Sequence, residues 1–189
     1  SSPWTAAAPP CACGSRPLGD PRQEALAATE PLAGLSGRGV TVAVIDSGVH
    51  PTHDHITAAR IGPGAMVMPD GALIEGDDVW LDQLGHGTAV TAAIQEKAPD
   101  ALCLPVRVFR ETLKTSAAGL IAAMRWSIAH RADVINLSLG TTNPAHRDAF
   151  AAVVGEATAA GVLVVAAYEA NDSLCLPGSL EGVVGVDVD

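Results

Sequence analysis

Two side chains stand where acid–base chemistry could be done. Asp46 closes the apolar run Val42-Ala43-Val44-Ile45 and is followed by Ser47-Gly48, and His86 stands between glycines in Gly85-His86-Gly87-Thr88. A carboxylate bonded to an imidazole fixes its tautomer and stabilises the protonated ring, which makes the histidine a general base. Such a base needs a nucleophile to deprotonate. Each residue also has an ordinary reading, Asp46 as a helix cap and His86 as a surface histidine, and spacing alone does not separate these from the catalytic one. The imidazoles of His50, His53 and His55, with Asp54, could approach a metal ion. Ligands so close together on one loop rarely complete a tetrahedron, so no metal is expected, and no cofactor either. Cys175 could be offered as a nucleophile, but no histidine stands in an evident position to activate it. Cys11 and Cys13 read as an incidental pair before a metal or redox site, and Cys103 lies inside an apolar strand pattern and reads as core.

The elements that must carry these groups follow from the pattern of the chain. Val40 to Ile45 is β-branched and apolar throughout, a strand buried on both faces as a parallel sheet requires. Met66-Val67-Met68 and Ala72-Leu73-Ile74 flank Pro69-Asp70-Gly71, the signature of a hairpin. His86 to Lys97 reads as a helix stopped by Pro99, and Ala101 to Phe109 as a second buried strand. Thr115 or Ser116 caps a helix through about His130, with Leu120, Ile121, Met124 and Ile128 at helical spacing. Val134 to Leu139 is the next strand, Pro144 to Ala160 the next helix, Val162 to Ala167 another strand and Gly182 to Val188 a last one. Strands alternating with helices predict an α/β fold, a three-layer, mostly parallel sheet with helices on both faces. Asp46 then lies at the C-terminal end of a strand, where doubly wound sheets collect functional groups.

Bulk properties bound the partners. The chain has 189 residues, enough for one well-cored domain, expected over 21–189 with a Pro- and Ala-rich tail over 1–20. Pro21 to Leu32 reads as a short helix opening the domain. Hydrophobic residues make up 48% but aromatics only 3%, so the core is built from Ala, Val, Leu and Ile. A net charge of −10 argues against nucleic acid. No apolar run reaches the ~18 residues of a membrane span, and no basic amphipathic stretch suggests a membrane surface. With no signal peptide visible, the cytoplasm is the default compartment, and secretion stays open as the alternative.

The residues around the pair resemble the subtilisin-like serine proteases, the subtilases. Val42 to Val49, with His53 after it, looks like the family's aspartate motif, and Gly85-His86-Gly87-Thr88 like its histidine motif. Ala98-Pro99-Asp100-Ala101 followed by Leu104 to Val108 is similar to the segment after the histidine helix. Val134 to Gly140 resembles the strand lining the substrate pocket. The resemblance implies that Asp46 and His86 are the acid and base of a triad and that Ser138, Leu139 and Gly140 form the wall of a peptide-binding cleft.

Three features depart from the family. Ala89 replaces a common second histidine. After Val164-Val165-Ala166-Ala167 the family has Gly-Asn, whose amide stabilises the oxyanion; here Tyr168-Glu169-Ala170-Asn171 follows, and Asn171 could serve only if the loop shifts by about one residue. The family's nucleophile lies in a Gly-Thr-Ser motif beyond the last strand, and that motif is absent up to Asp189. The expectation is therefore a truncated subtilisin-like module that binds a peptide or protein without its own serine. The alternative is the Asp/His-bearing part of an active endopeptidase, with serine on a partner chain or a missing C-terminal segment. Either way one face and one edge of the sheet should be open, inviting a homodimer or hetero-oligomer.

Overall fold

The apolar run before Asp46 becomes the middle of a sheet. A computed structural model describes residues 34–112, 114–170 and 172–187. The expected helix from Pro21, the tail with Cys11 and Cys13, and Asn171 lie outside the described residues. The strands are β1 (Thr41–Asp46), β2 (Ala65–Val67), β3 (Leu73–Glu75), β4 (Leu102–Arg107), β5 (Val134–Leu137), β6 (Leu163–Ala167), β7 (Glu169–Ala170), β8 (Ser173–Leu174) and β9 (Val183–Val186). The helices are α1 (His86–Lys97), α2 (Ala117–Ala129) and α3 (Arg147–Ala159). Seven strands form one sheet in the order β3-β2-β4-β1-β5-β6-β9, parallel except for β3. β7 and β8 make a separate antiparallel hairpin.

Local chemistry explains where these elements start and stop. The Ser116 hydroxyl accepts from the Gly119 amide at 2.9 Å and caps α2, which settles the choice between Thr115 and Ser116. The β2–β3 turn closes through Gly71 N–H to Met68 O at 2.9 Å, with Gly71 in the left-handed region at φ 88°. Several expected boundaries moved; the strand expected over Ala101 to Phe109 is β4, Leu102–Arg107. β5 ends at Leu137, because the chain beyond it leaves β6 and pairs Thr141 with Leu176 instead. The helix expected from Pro144 begins as a 3₁₀ turn over Pro144–His146, capped by Asn143, and becomes α-helical at Arg147.

The two faces of the sheet are covered unequally. On one, Ala43, Ile45, Ile135, Leu137, Val164 and Ala166 pack against Met124 of α2 and Phe150 and Val153 of α3. On the other, Val42, Val44 and Cys103 pack against Val90 and Ile94 of α1. Burying each such aliphatic side chain is worth about 1.5–3 kcal/mol, so these two layers anchor the strand that ends in Asp46 and the helix that starts at His86. Strand register carries the α1 face outward through Val44, Asn136, Val165 and Val184, and no described helix continues with it. On that outer part Leu163 is 47%, Val184 46% and Val186 52% exposed. β9 is the terminal strand of the sheet.

Candidate active site

Asp46 is the last residue of β1 and is wholly buried, while the His86 side chain opens α1 and remains 43% exposed. The imidazole Nδ1 lies 2.8 Å from Asp46 Oδ1 and 2.9 Å from Oδ2. The Ser47 amide donates to Asp46 Oδ1 at 2.7 Å, so the carboxylate is held from its own backbone as well. With Nδ1 engaged, Nε2 is the ring nitrogen left to take a proton from a nucleophile. Among the described residues no hydroxyl or thiol bonds to it.

The two segments meet backbone to backbone. A β-carbon on Gly87 would fall 2.2 Å from Gly48 O, and one on Gly48 would fall 2.1 Å from Trp80 O. The Ser47 hydroxyl accepts from the Gly87 amide at 2.8 Å and is fully buried, so Ser47 joins the segments and is not a nucleophile. Sequence reasoning missed a third carboxylate. Asp82 accepts from the Leu84 and Gly85 amides at 2.9 Å through Oδ1, and from the Thr88 amide at 2.9 Å and hydroxyl at 2.5 Å through Oδ2. It thereby holds the first turn of α1, on which His86 stands. Its place four residues before His86 was the available signal. Arg107 supports the same approach segment, donating to Gln83 Oε1 at 2.8 Å and Phe109 O at 3.1 Å.

Burial alone would raise the Asp82 pKa, but the Thr88 hydroxyl and the amides of Leu84, Thr88 and Gly85 outweigh it, and the net shift is downward. The stabilisation Asp82 supplies is thus present above its unfolded pKa and lost as pH falls through the lower folded value. Asp82→Ala should cost about 2 kcal/mol at pH 7, read from urea unfolding, with the penalty shrinking toward pH 3. An equal penalty at both pH values would assign Asp82 a role in packing alone.

The remaining candidates separate. His50 Nδ1 is 3.1 Å from the Thr52 hydroxyl, and the His53 and His55 rings stand 5.6 Å apart. Among the described residues no three His, Cys, Asp or Glu side chains converge as metal ligands would. These histidines instead line a cavity of about 800 Å³ beside α1, with Ala89 in its wall. Leu139 and Gly140 line a second cavity of about 770 Å³, whereas the neighbouring Ser138 is exposed. The Thr115 hydroxyl, in the same cavity wall, is buried without a hydrogen-bond partner. Cys175 is 2% exposed behind Gly140, and burial, then the Glu169 charge, raises its thiol pKa. Burial pushes Cys103 up to about 11. Neither thiol is set up as a nucleophile. The hairpin β7–β8 occupies the position where the resemblance implied an oxyanion donor, and Glu169 lies on it.

The match to known proteins is extensive. A family model described as the subtilase family, Peptidase_S8, matches residues 37–186. The chain belongs to the subtilase family. It is 34% identical over 169 residues to minor extracellular protease Epr of Bacillus subtilis (strain 168), covering 82% of this chain and 24% of that protein. It is 32% identical over 143 residues to subtilisin E of the same organism, covering 71% of this chain and 35% of that protein. A solved lanthipeptide protease superposes with a TM-score of 0.68 at 24% identity, over 84% of this chain and 50% of that one. The prenylagaramide maturation protease PagA gives 0.65 at 23%, over 88% and 58%. These two likenesses bear on the fold, which is the subtilisin-like one. The subtilase chain spans between about a quarter and a half of the length of the curated relatives it matches. The cytoplasmic default finds no support among these relatives. Among the described residues no helix is long and apolar enough to cross a membrane.

Proposed function

We propose that this subtilase domain is the Asp/His-bearing part of a serine endopeptidase, in which Asp46 and His86 activate a serine outside the described residues. The observation that carries this reading is the pair itself, a buried carboxylate bonded to the Nδ1 side of a solvent-facing imidazole. A module retained only for binding has no chemical need for that geometry, so the pair favours the catalytic reading over the inactive one that the sequence placed first. The serine would come from a partner chain or a further segment docked on the uncovered sheet face beside α1. The cavity at Leu139 and Gly140, with the unpartnered Thr115 hydroxyl, supports a peptide or protein as substrate. The relative named an extracellular protease supports an extracellular site of action.

One observation favours a second reading, a pseudo-protease that binds peptide without cleaving it. Tyr168-Glu169-Ala170 stands where the oxyanion donor is expected, and losing such a donor costs about 2.7–4 kcal/mol in the transition state. The two readings part in one experiment. The tagged protein is captured from its native source and treated with a fluorophosphonate, which labels activated serines. Label on a co-purifying chain or on a longer form of this chain is the expected result. No label on any species, with a peptide or protein still bound, would replace the catalytic reading with recognition alone.

A further inference from the structure

A third cavity, of about 590 Å³, shares no lining residue with the two described above. Its size falls within the roughly 300–1,000 Å³ of small-ligand sites. It is lined by the glycine-rich chain Gly62-Pro63-Gly64 entering β2 and by Trp80, Trp126, Glu75 and Asp77. We propose that this cavity binds the cationic side chain of an arginine presented by a peptide or protein.

The walls are built for a flat cation. A β-carbon on Gly64 would fall 2.7 Å from Trp80 Cδ1, so that indole lies directly against the backbone, and only a bare α-carbon leaves it room. The second indole is fixed on two sides. Trp126 stacks on His130 with ring centroids 3.8 Å apart, and its Nε1 donates to Glu75 Oε1. His130 Nε2 also lies 3.4 Å from that oxygen. Glu75 is thus oriented before any ligand arrives, which lowers the ordering cost of binding. Aromatic walls attract a guanidinium through the ring quadrupole and stack on its plane.

The charge balance selects the same ligand. Asp77 makes no ion pair or hydrogen bond among the described residues, and no Lys or Arg lines the cavity. Nearby arginines are turned elsewhere: Arg107 bonds Gln83 and Phe109, Arg60 bonds Asp100, and Arg125 bonds Glu156. Asp77 therefore faces the cavity without a described partner, beside a Glu75 held by the Trp126 indole and the His130 imidazole, and an arginine head group would reach both carboxylates with its forked donors.

The test follows the ¹⁵N indole resonances of Trp80 and Trp126, assigned with Trp80→Phe and Trp126→Phe, during titration with acetyl-Gly-Arg-Gly-amide. Its partner probe is the citrulline peptide, which is nearly the same shape and uncharged. The expected result is a saturable shift of both resonances with a dissociation constant on the order of 1 mM, as suits one side chain. The citrulline peptide should bind at least tenfold more weakly. Asp77→Asn, an exposed substitution that leaves the Trp126–Glu75 bond in place, should weaken the arginine peptide about threefold or more. Equal response to both peptides, shifts that do not saturate, or an unchanged Asp77→Asn affinity would each overturn the proposal.

Discussion

His86→Ala should abolish turnover in the assembly that carries the serine, by about 10⁶-fold, the loss measured for the triad base of subtilisin, a member of this family, and taken over from it. Asp46→Asn should cost about 10⁴-fold, because the asparagine amide donates to Nδ1 and leaves the ring proton on Nε2, the nitrogen that must act as base. Neither change should unfold the domain. The His86 side chain is 43% exposed and its hydrogen bonds are those to Asp46. An asparagine at 46 can still accept from the Ser47 amide that now bonds Oδ1. The measurement is the rate of fluorophosphonate labelling of the serine, with the melting curve recorded on the same samples. If both variants label at the parent rate while folding normally, the pair plays no part in activation and the proposed function falls.

The second large effect concerns the uncovered part of the sheet. Leu163, Val184 and Val186 lie on the face that α1 covers over β1, β4 and the start of β5, and each is close to half exposed. Replacing all three by lysine should leave the monomer folded, since none fills the packed core. It should abolish association, because a stable interface must bury roughly 1,000 Å² or more with an apolar centre. Sedimentation would then move from a complex toward the 19.1 kDa of the single chain. A parent protein that already sediments as a monomer and binds no hydrophobic dye would sink the assembly idea without touching the Asp46–His86 geometry.

Much of this architecture was legible because its signals are local. β1 is a continuous apolar run, α1 begins at a glycine-bounded histidine and stops before a proline, and Ser116 announces α2 by capping it. What escaped depends on distant contacts. Strand β5 stops two residues early because Thr141 finds Leu176, thirty-five positions away. Strands β7 and β8 are two residues each, too short for any alternation to register. The order of strands in the sheet has no signature in a single sequence.

The site shows the same division. Asp46 and His86 stand out through their motifs, and the structure brings them within hydrogen-bond reach. Asp82 does not stand out, because a lone aspartate in a polar turn looks like many others until its four donors converge on it. Arg107 is hidden for the opposite reason. It ends a buried strand, where its register opposite Asp46 is evident but its partners across the loop are not. The cavity walled by Trp80 and Trp126 draws on segments some sixty positions apart, and no spacing rule joins them.

The contact between Gly48 and Gly87 has a consequence for how such a domain can change over evolutionary time. The gap between acid and base is set by two stretches of naked main chain pressed to their contact limit. Side chains around the pair can be exchanged to alter what is bound, how firmly, and in which surroundings. The ruler that spaces the pair has no side chain to exchange, so lineages can diverge widely in preference while inheriting the same span.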